Sequence, residues 1–473
     1  MSETRGTDFL RAIPSVDAIL DHPAVQGWRA AHPRFPWTRL VRELIDELRA
    51  GGAGVPDQPD RAAMLAWIVA RAEARVAELR TGGLKPVLNG TGVVLHTNLG
   101  RAPVGDRVAE AAVRAMRGYV SLEVDLASGE RARRGETLER LLCCLTGAEA
   151  AMVVNNNAAA VYLLASSFSP PGRVIVSRGE LVEIGGSFRL PDILSDAAAE
   201  VAEVGTTNRT YAADYERAAR SGDLLLKVHK SNYQIAGFAH EATLAELVTV
   251  ARARGAHVVF DMGSGAFFDF AGAGVGDDPA VAAVLAAGAD GAAMSGDKLL
   301  GGLQAGIVVG KRTLIDRLKQ NPLRRAVRVD KVTIAALQEI VRCYLFAEDP
   351  RRENPSLAMI TGGVAARERA DRVVRAVRAA AGDAVAIGVV DDDAAVGGGS
   401  LSGEAVPSAA VAVGCGGERD ALRLARALRL RELPLFTRIR GSEVRINMTT
   451  ILPSEDGDVI RALVDALAAG GRA

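Results

Sequence analysis

A lysine on a glycine-rich connection is the residue in this chain best suited to covalent chemistry. Lys298 ends the sequence Ser295-Gly-Asp-Lys298, which lies between two short apolar segments, 290–294 and 305–309, that are typical of buried strands. Burial lowers the pKa of a lysine and frees its amine to attack a carbonyl carbon. Such a lysine most often forms a Schiff base, and the commonest carbonyl partner is pyridoxal phosphate (PLP). The alternative is a loop lysine whose ammonium reaches water. This stretch alone does not separate the two.

A carboxylate upstream of this lysine favours the PLP interpretation. Asp261 ends the apolar segment 256–261, which is typical of a strand. A carboxylate in this place holds the pyridine nitrogen of PLP protonated, so that the ring can take up electrons. The alternative is an aspartate that caps a helix or binds a metal in an ordinary α/β crevice. The order of Asp261 and Lys298, each at the end of a predicted strand, favours PLP chemistry.

A run of three asparagines and an alanine, between an apolar segment and a helical one, predicts a cradle for the cofactor phosphate. Backbone N–H groups and the helix dipole would face the anion there. An asparagine-rich helix N-cap is the alternative. Besides Lys298 and Asp261, the residues expected to bind the cofactor are Asn156, Asn157, Ala158 and Ser295.

The elements that must position these residues alternate between strand-like and helical patterns from about residue 104 onward. Such alternation predicts an α/β fold with a mostly parallel central sheet and helices on both faces. Ligands of such sheets bind at the carboxyl ends of the strands, where the candidate residues lie. The predicted strands span 151–154, 174–177, 201–204, 224–228 and 257–261.

Three parts of the chain differ in pattern. Residues 1–80 predict a small helical N-terminal domain, 81–346 a large PLP-binding domain with its leading loop, and 347–473 a small α+β C-terminal domain. Within the last part, the glycine-rich segment 396–403 is predicted to be a flexible loop. The N-terminal helices could bind a partner or pack against one.

The bulk composition excludes several classes of protein. The 473 residues include 57 basic and 57 acidic side chains, so net charge gives no argument for a nucleic-acid partner. The 4 cysteines lack zinc spacing and predict reduced residues of a cytoplasmic protein. The sequence has no signal-peptide pattern and no apolar run long enough to span a membrane. The 6 scattered histidines argue against a metal cluster.

Several longer motifs, in one order along the chain, resemble the bacterial L-seryl-tRNA(Sec) selenium transferases, also called selenocysteine synthases. This family consists of fold-type-I PLP-dependent enzymes. The resemblance extends from the N-terminal helices into the C-terminal domain. It departs at Leu303, where some relatives have proline, and at Lys230, which replaces a small polar residue. The motifs that carry it span 91–102, 153–161, 176–186, 203–210, 227–229, 231–233, 295–302, 304–306 and 406–410.

The resemblance implies that the chain converts seryl-tRNA(Sec) to selenocysteinyl-tRNA(Sec). Lys298 would hold PLP and then act as the base for the Cα proton. Loss of the seryl hydroxyl would leave an aminoacrylyl-tRNA, to which selenophosphate adds selenium. The resemblance also implies an anion site for selenophosphate beside the PLP, formed by Arg101, Arg325 and Arg328. From pattern alone, the last two would be assigned to a solvated helix face.

The resemblance further implies a large ring-shaped homo-oligomer in the cytoplasm, with the N-terminal domain binding tRNA. Three other functions compete with it. The nearest is another fold-type-I PLP enzyme, a lyase or desulfurase, that acts on a free amino acid and needs an arginine for the α-carboxylate. A Ser-x-x-Lys acyltransferase would use Ser295 and Lys298, but the chain lacks the Lys-Thr-Gly partner motif. A non-enzymatic tRNA-binding protein would not need Asp261 and Lys298 together.

Overall fold

The chain divides into two compact units, residues 1–86 and residues 87–473. The computed structural model describes residues 9, 12–51, 60–184, 188–197, 200–230, 233, 235–276, 278–382 and 385–470. Four residues of the motifs above, Gly185, Gly186, Ser231 and Asn232, lie outside this part of the chain.

The first unit is helical. Its helices are α1 (Val16–Leu20), α2 (Pro23–Ala31), α3 (Trp37–Arg49) and α4 (Arg61–Thr81). Side chains of Ser15 and Asp60 accept backbone hydrogen bonds at the starts of α1 and α4. The apolar faces of α3 and α4 pack together around Leu44, Leu48 and Ile68, which are fully buried. The unit therefore has a hydrophobic core of its own.

The second unit contains the remaining elements in α/β order. Its strands are β1 (Leu88–Asn89), β2 (Ala150–Val154), β3 (Val174–Ser177), β4 (Glu183–Ile184), β5 (Phe188–Arg189), β6 (Val201–Val204), β7 (Leu224–Val228), β8 (His257–Gly263), β9 (Gly291–Ser295), β10 (Gly306–Gly310), β11 (Ile387–Gly397), β12 (Ser400–Gly414), β13 (Leu435–Phe436), β14 (Arg438–Arg440) and β15 (Glu443–Asn447). Its helices are α5 (Asp106–Arg117), α6 (Glu136–Thr146), α7 (Asn157–Phe168), α8 (Leu190–Asp196), α9 (Ala212–Ala218), α10 (Leu244–Arg254), α11 (Val281–Ala286), α12 (Arg312–Gln320), α13 (Lys331–Phe346), α14 (Pro355–Ile360), α15 (Ala366–Ala381), α16 (Glu418–Arg429) and α17 (Asp456–Gly470).

The central sheet has seven strands in the order β2-β10-β9-β8-β7-β3-β6. Strand β10 runs antiparallel to both of its neighbours, whereas the pairs from β9 to β6 are parallel. The prediction of a mostly parallel sheet is therefore confirmed. Helices α7, α8 and α12 cover one face of the sheet, and α5, α6, α11 and α13 cover the other. Burial on both faces explains why the strands read as short apolar runs.

A second, antiparallel sheet forms near the C-terminal end, with the order β11-β12-β15-β14. Helices α15, α16 and α17 pack on it around Val411, Val444 and Ile446. The prediction of a flexible loop at 396–403 is wrong, because these residues form the tight turn between β11 and β12 and the first part of β12. Gly397, Gly398 and Gly399 all have positive φ, which a tight turn between two strands can require.

The leading loop of the second unit is fastened to this C-terminal sheet. Strand β1 pairs in parallel with β13, and the Asn447 N–H donates to the Gly90 carbonyl at 2.9 Å. Further along, the N–H groups of Val94 and Leu95 donate to carbonyl oxygens of β11 at 2.9 and 2.8 Å. The loop that leads to Arg101 therefore follows a fixed path.

Neither a membrane span nor a metal site was found in the described part of the chain. Its helices are too short or too polar to cross a bilayer. Its His, Cys, Asp and Glu side chains form no group that could hold a metal ion.

Candidate active site

Lys298 lies just beyond the carboxyl end of β9 and is only 4% exposed. Its pKa is lowered, first by burial and then by the cation of Arg101, while Asp261 and Asp297 oppose the change. Among the described residues, its ammonium makes no ion pair or side-chain hydrogen bond. A buried amine with a lowered pKa and no partner is suited to covalent attack on a carbonyl.

Side-chain hydrogen bonds to its backbone hold the loop that carries Lys298. Tyr344 on α13 donates a hydrogen bond to the Leu300 carbonyl at 3.1 Å, and the Asn354 amide donates to the same oxygen at 3.0 Å. Asn354 is fully buried. Gly301 has a φ of 72°, and a Cβ there would lie 2.4 Å from the Asn354 side-chain oxygen. Only glycine therefore suits this turn, and the turn fixes where Lys298 points.

Asp261 lies on β8, next to β9, and is 8% exposed. Its Oδ1 accepts from Asn157 Nδ2 at 2.8 Å and from the Gly263 N–H at 3.2 Å. No described residue donates to Oδ2. Burial raises the pKa of this carboxyl, whereas the Asn157 and Gly263 hydrogen bonds and the charges of Lys298 and His229 act to lower it. One carboxylate oxygen is thus fixed, and the other is available.

The asparagine run forms the start of α7, at the carboxyl end of β2. Asn156 is the N-cap, and its side chain accepts from the Ala159 N–H at 2.8 Å. The N-cap alternative is therefore correct for Asn156. The N–H groups of Asn157 and Ala158, in the first turn, have no intrahelical acceptor. They are free to face an anion, as the predicted phosphate cradle requires.

Gly306 brings the asparagine run and the lysine loop together. It is in register with Ser295 on β9 and with Val154 on β2. A Cβ at Gly306 would lie 2.2 Å from the Asn156 carbonyl oxygen, so the backbones meet closely at this point. Ser295 is 8% exposed. The structure thus places the backbones of Ser295 and Asn156 on either side of one glycine.

Arg101 reaches the same centre from the leading loop. It has a φ of 63°, a left-handed conformation that costs a residue with a side chain about 1 kcal/mol. Its Nη1 lies 2.7 Å from Oδ2 of Asp297, the residue before Lys298. Sequence reasoning missed Asp297, because only the fold shows which distant residue the carboxylate meets.

A second pair that the sequence did not reveal lies on the other side of Asp261. His229 follows β7, the strand beside β8, and its Nε2 lies 3.4 Å from Oδ1 of Asp278. Ser264 donates to the second oxygen of Asp278 at 3.3 Å. His229 belongs to the motif 227–229 and directly follows the predicted strand 224–228. Asp278 lies in a loop whose sequence carries no signal for this contact.

Arg325 and Arg328 lie together, but Arg101 is not among the residues around them. The two arginines line a cavity of about 560 Å³ beside β2. Arg328 also pairs through its backbone with Val154, at the end of β2. Both arginines are exposed, and neither makes an ion pair with a described residue. We call this cavity the arginine pocket, and it is lined by Glu123, Arg131, Ala132, Arg133, Arg134, Glu139, Met152, Val153, Lys319, Pro322, Arg324, Arg325 and Arg328.

These residues match what PLP needs from a protein. The available oxygen of Asp261 suits a pyridine N–H, and the buried amine of Lys298 suits the aldehyde carbon. The free N–H groups at the start of α7, with the Ser295 hydroxyl nearby, suit the phosphate. The donor set therefore fits PLP, and Lys298, Asp261, Asn156, Asn157, Ala158 and Ser295 remain the predicted cofactor residues.

Comparisons with known proteins agree with this geometry. The model of the family described as L-seryl-tRNA selenium transferase matches residues 87–452, and a model described as selenocysteine synthase N terminal matches residues 10–49. An L-seryl-tRNA(Sec) selenium transferase of Geobacter sulfurreducens is 42% identical over 95% of this chain and 98% of its own length. One of Rhizobium meliloti is 41% identical over 96% and 97%.

Among solved structures, a D-glucosaminate-6-phosphate ammonia-lyase is similar with a TM-score of 0.57 and 18% identity. The similarity covers 84% of this chain and 99% of the lyase chain, and it shows that the two share a fold. The full-length sequence relatives go further: this chain belongs to the L-seryl-tRNA selenium transferase family.

Proposed function

We propose that this protein converts seryl-tRNA(Sec) to selenocysteinyl-tRNA(Sec), with PLP as its cofactor and selenophosphate as the selenium donor. The observation that carries the proposal is the buried pair of Lys298 and Asp261 at adjacent strand ends, in a chain of this family. Membership of the family indicates seryl-tRNA(Sec) as the substrate. The pair of Lys298 and Asp261 suits the PLP chemistry that this substrate needs.

PLP, when bound, draws electrons from the seryl Cα and so makes its proton acidic. Lys298 is the base that takes this proton, because its lowered pKa leaves more of the amine neutral near pH 7. Asp261 would hold the proton on the ring nitrogen of bound PLP. Arg101, paired with Asp297, places a cation near Lys298 that helps to lower the pKa of this lysine. The seryl β-hydroxyl would then leave as water, with the proton that Lys298 took from Cα.

The arginine pocket supports a site for the selenium donor. Arg324, Arg325 and Arg328 carry positive charge without a described carboxylate partner. Guanidinium groups bind phosphate-like dianions through paired hydrogen bonds. We assign Arg325 and Arg328 to selenophosphate. The resemblance adds Arg101 to this site, but its guanidinium is paired with Asp297 and does not line the arginine pocket.

A fold-type-I enzyme acting on a free amino acid is the nearest competing function. Such an enzyme needs an arginine for the substrate α-carboxylate. Arg101, whose charge acts on Lys298, is already paired with Asp297 at 2.7 Å. An aminoacyl ester has no free carboxylate, so the pairing favours the aminoacyl-tRNA substrate.

The N-terminal helices, predicted as a domain over residues 1–80, are assigned to tRNA. A cavity of about 900 Å³ on this unit is lined by the exposed residues Arg29, Arg39 and Arg42, with the ring of Phe35 among them. Cations with an aromatic face suit an RNA backbone and its bases. The chain is also assigned to a ring-shaped homo-oligomer. The exposed apolar side chains Tyr119 and Leu126 support burial against another copy.

A charged tRNA as substrate supports a cytoplasmic location for the reaction. The test is to incubate the purified protein with seryl-tRNA(Sec) and selenophosphate and to identify the amino acid released from the tRNA. Selenocysteine is expected, and free serine with selenophosphate should give none. Turnover of free serine at a comparable rate would support the competing function instead.

A further inference from the structure

Two neighbouring asparagines at the start of α7 make different contacts. The Asn156 side chain faces its own helix, where it accepts from the Ala159 N–H at 2.8 Å. The Asn157 side chain leaves the helix, and its Nδ2 donates to Oδ1 of Asp261, also at 2.8 Å. The first residue therefore caps the helix, and the second reaches the carboxylate that is predicted to bind the pyridine nitrogen.

The position of Asp261 makes this contact important. The charges that act on its carboxylate come from Lys298, beyond β9, and from His229, beyond β7. Burial in the sheet works against them and favours the uncharged acid. The remaining hydrogen bonds to the carboxylate come from Asn157 and from the Gly263 N–H at 3.2 Å. Asn157 is thus the side chain of the described residues that hydrogen-bonds to the Asp261 carboxylate.

The orientation of the amide depends on the charge of Asp261. A carboxylate that has lost its proton can only accept hydrogen bonds, so it must face the NH₂ end of Asn157. The opposite end, Oδ1, is buried and has no partner among the described residues. The contact leaves a buried acceptor unsatisfied, a cost that the bond to a charged carboxylate can offset.

We propose that Asn157 is a positioning residue that orients the Asp261 carboxylate and stabilises its charged form, and that it does not bind the cofactor phosphate through its side chain. The inference rests on the proposed function, since it assumes PLP at this site. The phosphate is left to the first-turn N–H groups of α7 and to Ser295. Asn157 would act on the chemistry indirectly, by keeping the proton on the ring nitrogen.

The test measures that proton directly. PLP labelled with ¹⁵N at the ring nitrogen is bound to the full-length protein and to its Asn157→Leu variant. The ¹⁵N chemical shift of the ring nitrogen is then compared between the two. Leucine has a similar size but no donor. Loss of a hydrogen bond to a charged group should change the proton distribution between nitrogen and carboxylate about ten- to a hundred-fold, towards the carboxylate. Asn157→Ala is a second variant, which removes the donor without introducing bulk.

Asn208→Leu is the matched control, because it removes an amide that donates to a backbone carbonyl, that of Phe238 at 2.7 Å, away from the predicted cofactor residues. Its ring-nitrogen signal should equal that of the unchanged protein. A role of Asn157 in phosphate binding would instead weaken PLP affinity in both Asn157 variants and leave the ring-nitrogen signal unchanged, which overturns the proposal. An equal signal change in Asn208→Leu overturns it as well. Failure of the unchanged protein to bind PLP at all would refute the proposed function instead. Failure of the proposal on Asn157 and failure of the proposed function therefore give different results.

Discussion

The charged side chains of the centre around Lys298 are buried, whereas three arginines of the arginine pocket are exposed. Lys298 and Asp261 are buried, and their charges influence each other. Arg324, Arg325 and Arg328 are exposed and have no described acidic partner. Burial changes how easily a group gains or loses a proton, whereas exposed guanidinium groups stay charged at any physiological pH. The centre around Lys298 therefore suits proton transfer, and the arginine pocket suits the binding of an anion.

The difference also separates the two halves of the proposed reaction. Removal of the seryl hydroxyl needs a base and an electron sink, which the buried centre supplies. Addition of selenium needs a dianionic donor, which we propose the arginine pocket binds. Variants in the two regions should therefore affect different steps, and each prediction below tests that separation.

The largest effect is expected from Lys298→Ala. Both halves of the reaction should be abolished, because this variant has neither the amine that holds PLP nor the base for the Cα proton. The measurements are the visible absorbance of bound PLP and single-turnover formation of selenocysteinyl-tRNA. PLP still covalently attached in this variant, through another lysine, would show that the assignment is wrong.

Asp261→Asn should have the next largest effect. Removing one group that stabilises charge in the transition state costs about 2.7–4 kcal/mol, which corresponds to roughly 10²- to 10³-fold in rate. The loss should fall on removal of the seryl hydroxyl, measured by single turnover without selenophosphate. Circular dichroism should show an unchanged fold. Elimination at a near-normal rate would remove Asp261 from the mechanism.

Arg325→Ala should mainly slow the addition of selenium. Loss of a charged hydrogen bond is worth about 1.5–3 kcal/mol, or roughly ten- to a hundred-fold in rate. Single-turnover kinetics with and without selenophosphate separate the two steps. Arg375→Ala, an exposed arginine on α15, is the control and should leave both steps unchanged. Equal slowing of both steps by Arg325→Ala would contradict the separation of the two regions.

Deletion of residues 1–86 should have the smallest effect on the chemical centre, since both regions lie in the second unit. PLP binding should be retained, while the affinity for tRNA falls about tenfold and its dependence on salt weakens as phosphate contacts are lost. Filter binding at several salt concentrations measures both quantities. Undiminished affinity for tRNA would place the RNA site within residues 87–473.

The sequence predicted those parts of the site that follow from local pattern. Asp261 and Lys298 follow apolar runs, and the carboxyl ends of parallel strands meet at one edge of a sheet, so their proximity could be expected. The mostly parallel sheet was predictable because strand-like and helical patterns alternate along the chain. The N-cap role of Asn156 was one of two open alternatives, because the same residues suit a cap and a phosphate cradle.

Contacts between distant loops could not be predicted. Nothing near Asp297 indicates that Arg101 pairs with it, or that Asp278 meets His229. The separation of Arg101 from the arginine pocket was also hidden, since the resemblance names residues without their distances. The turn at 397–399 was misjudged because three glycines are typical of a mobile loop as well as of a tight turn.

The pairing of β1 with β13 has a consequence for the order of events during synthesis. Leu88 and Asn89 leave the ribosome long before their partners, Leu435 and Phe436, have been made. The path of the leading loop therefore cannot be completed until those partners have been translated. Closing so long a stretch of chain is a slow step in folding. A nascent chain stopped before residue 435 would contain Lys298 and Asp261 but would lack the anchor that brings Arg101 to them.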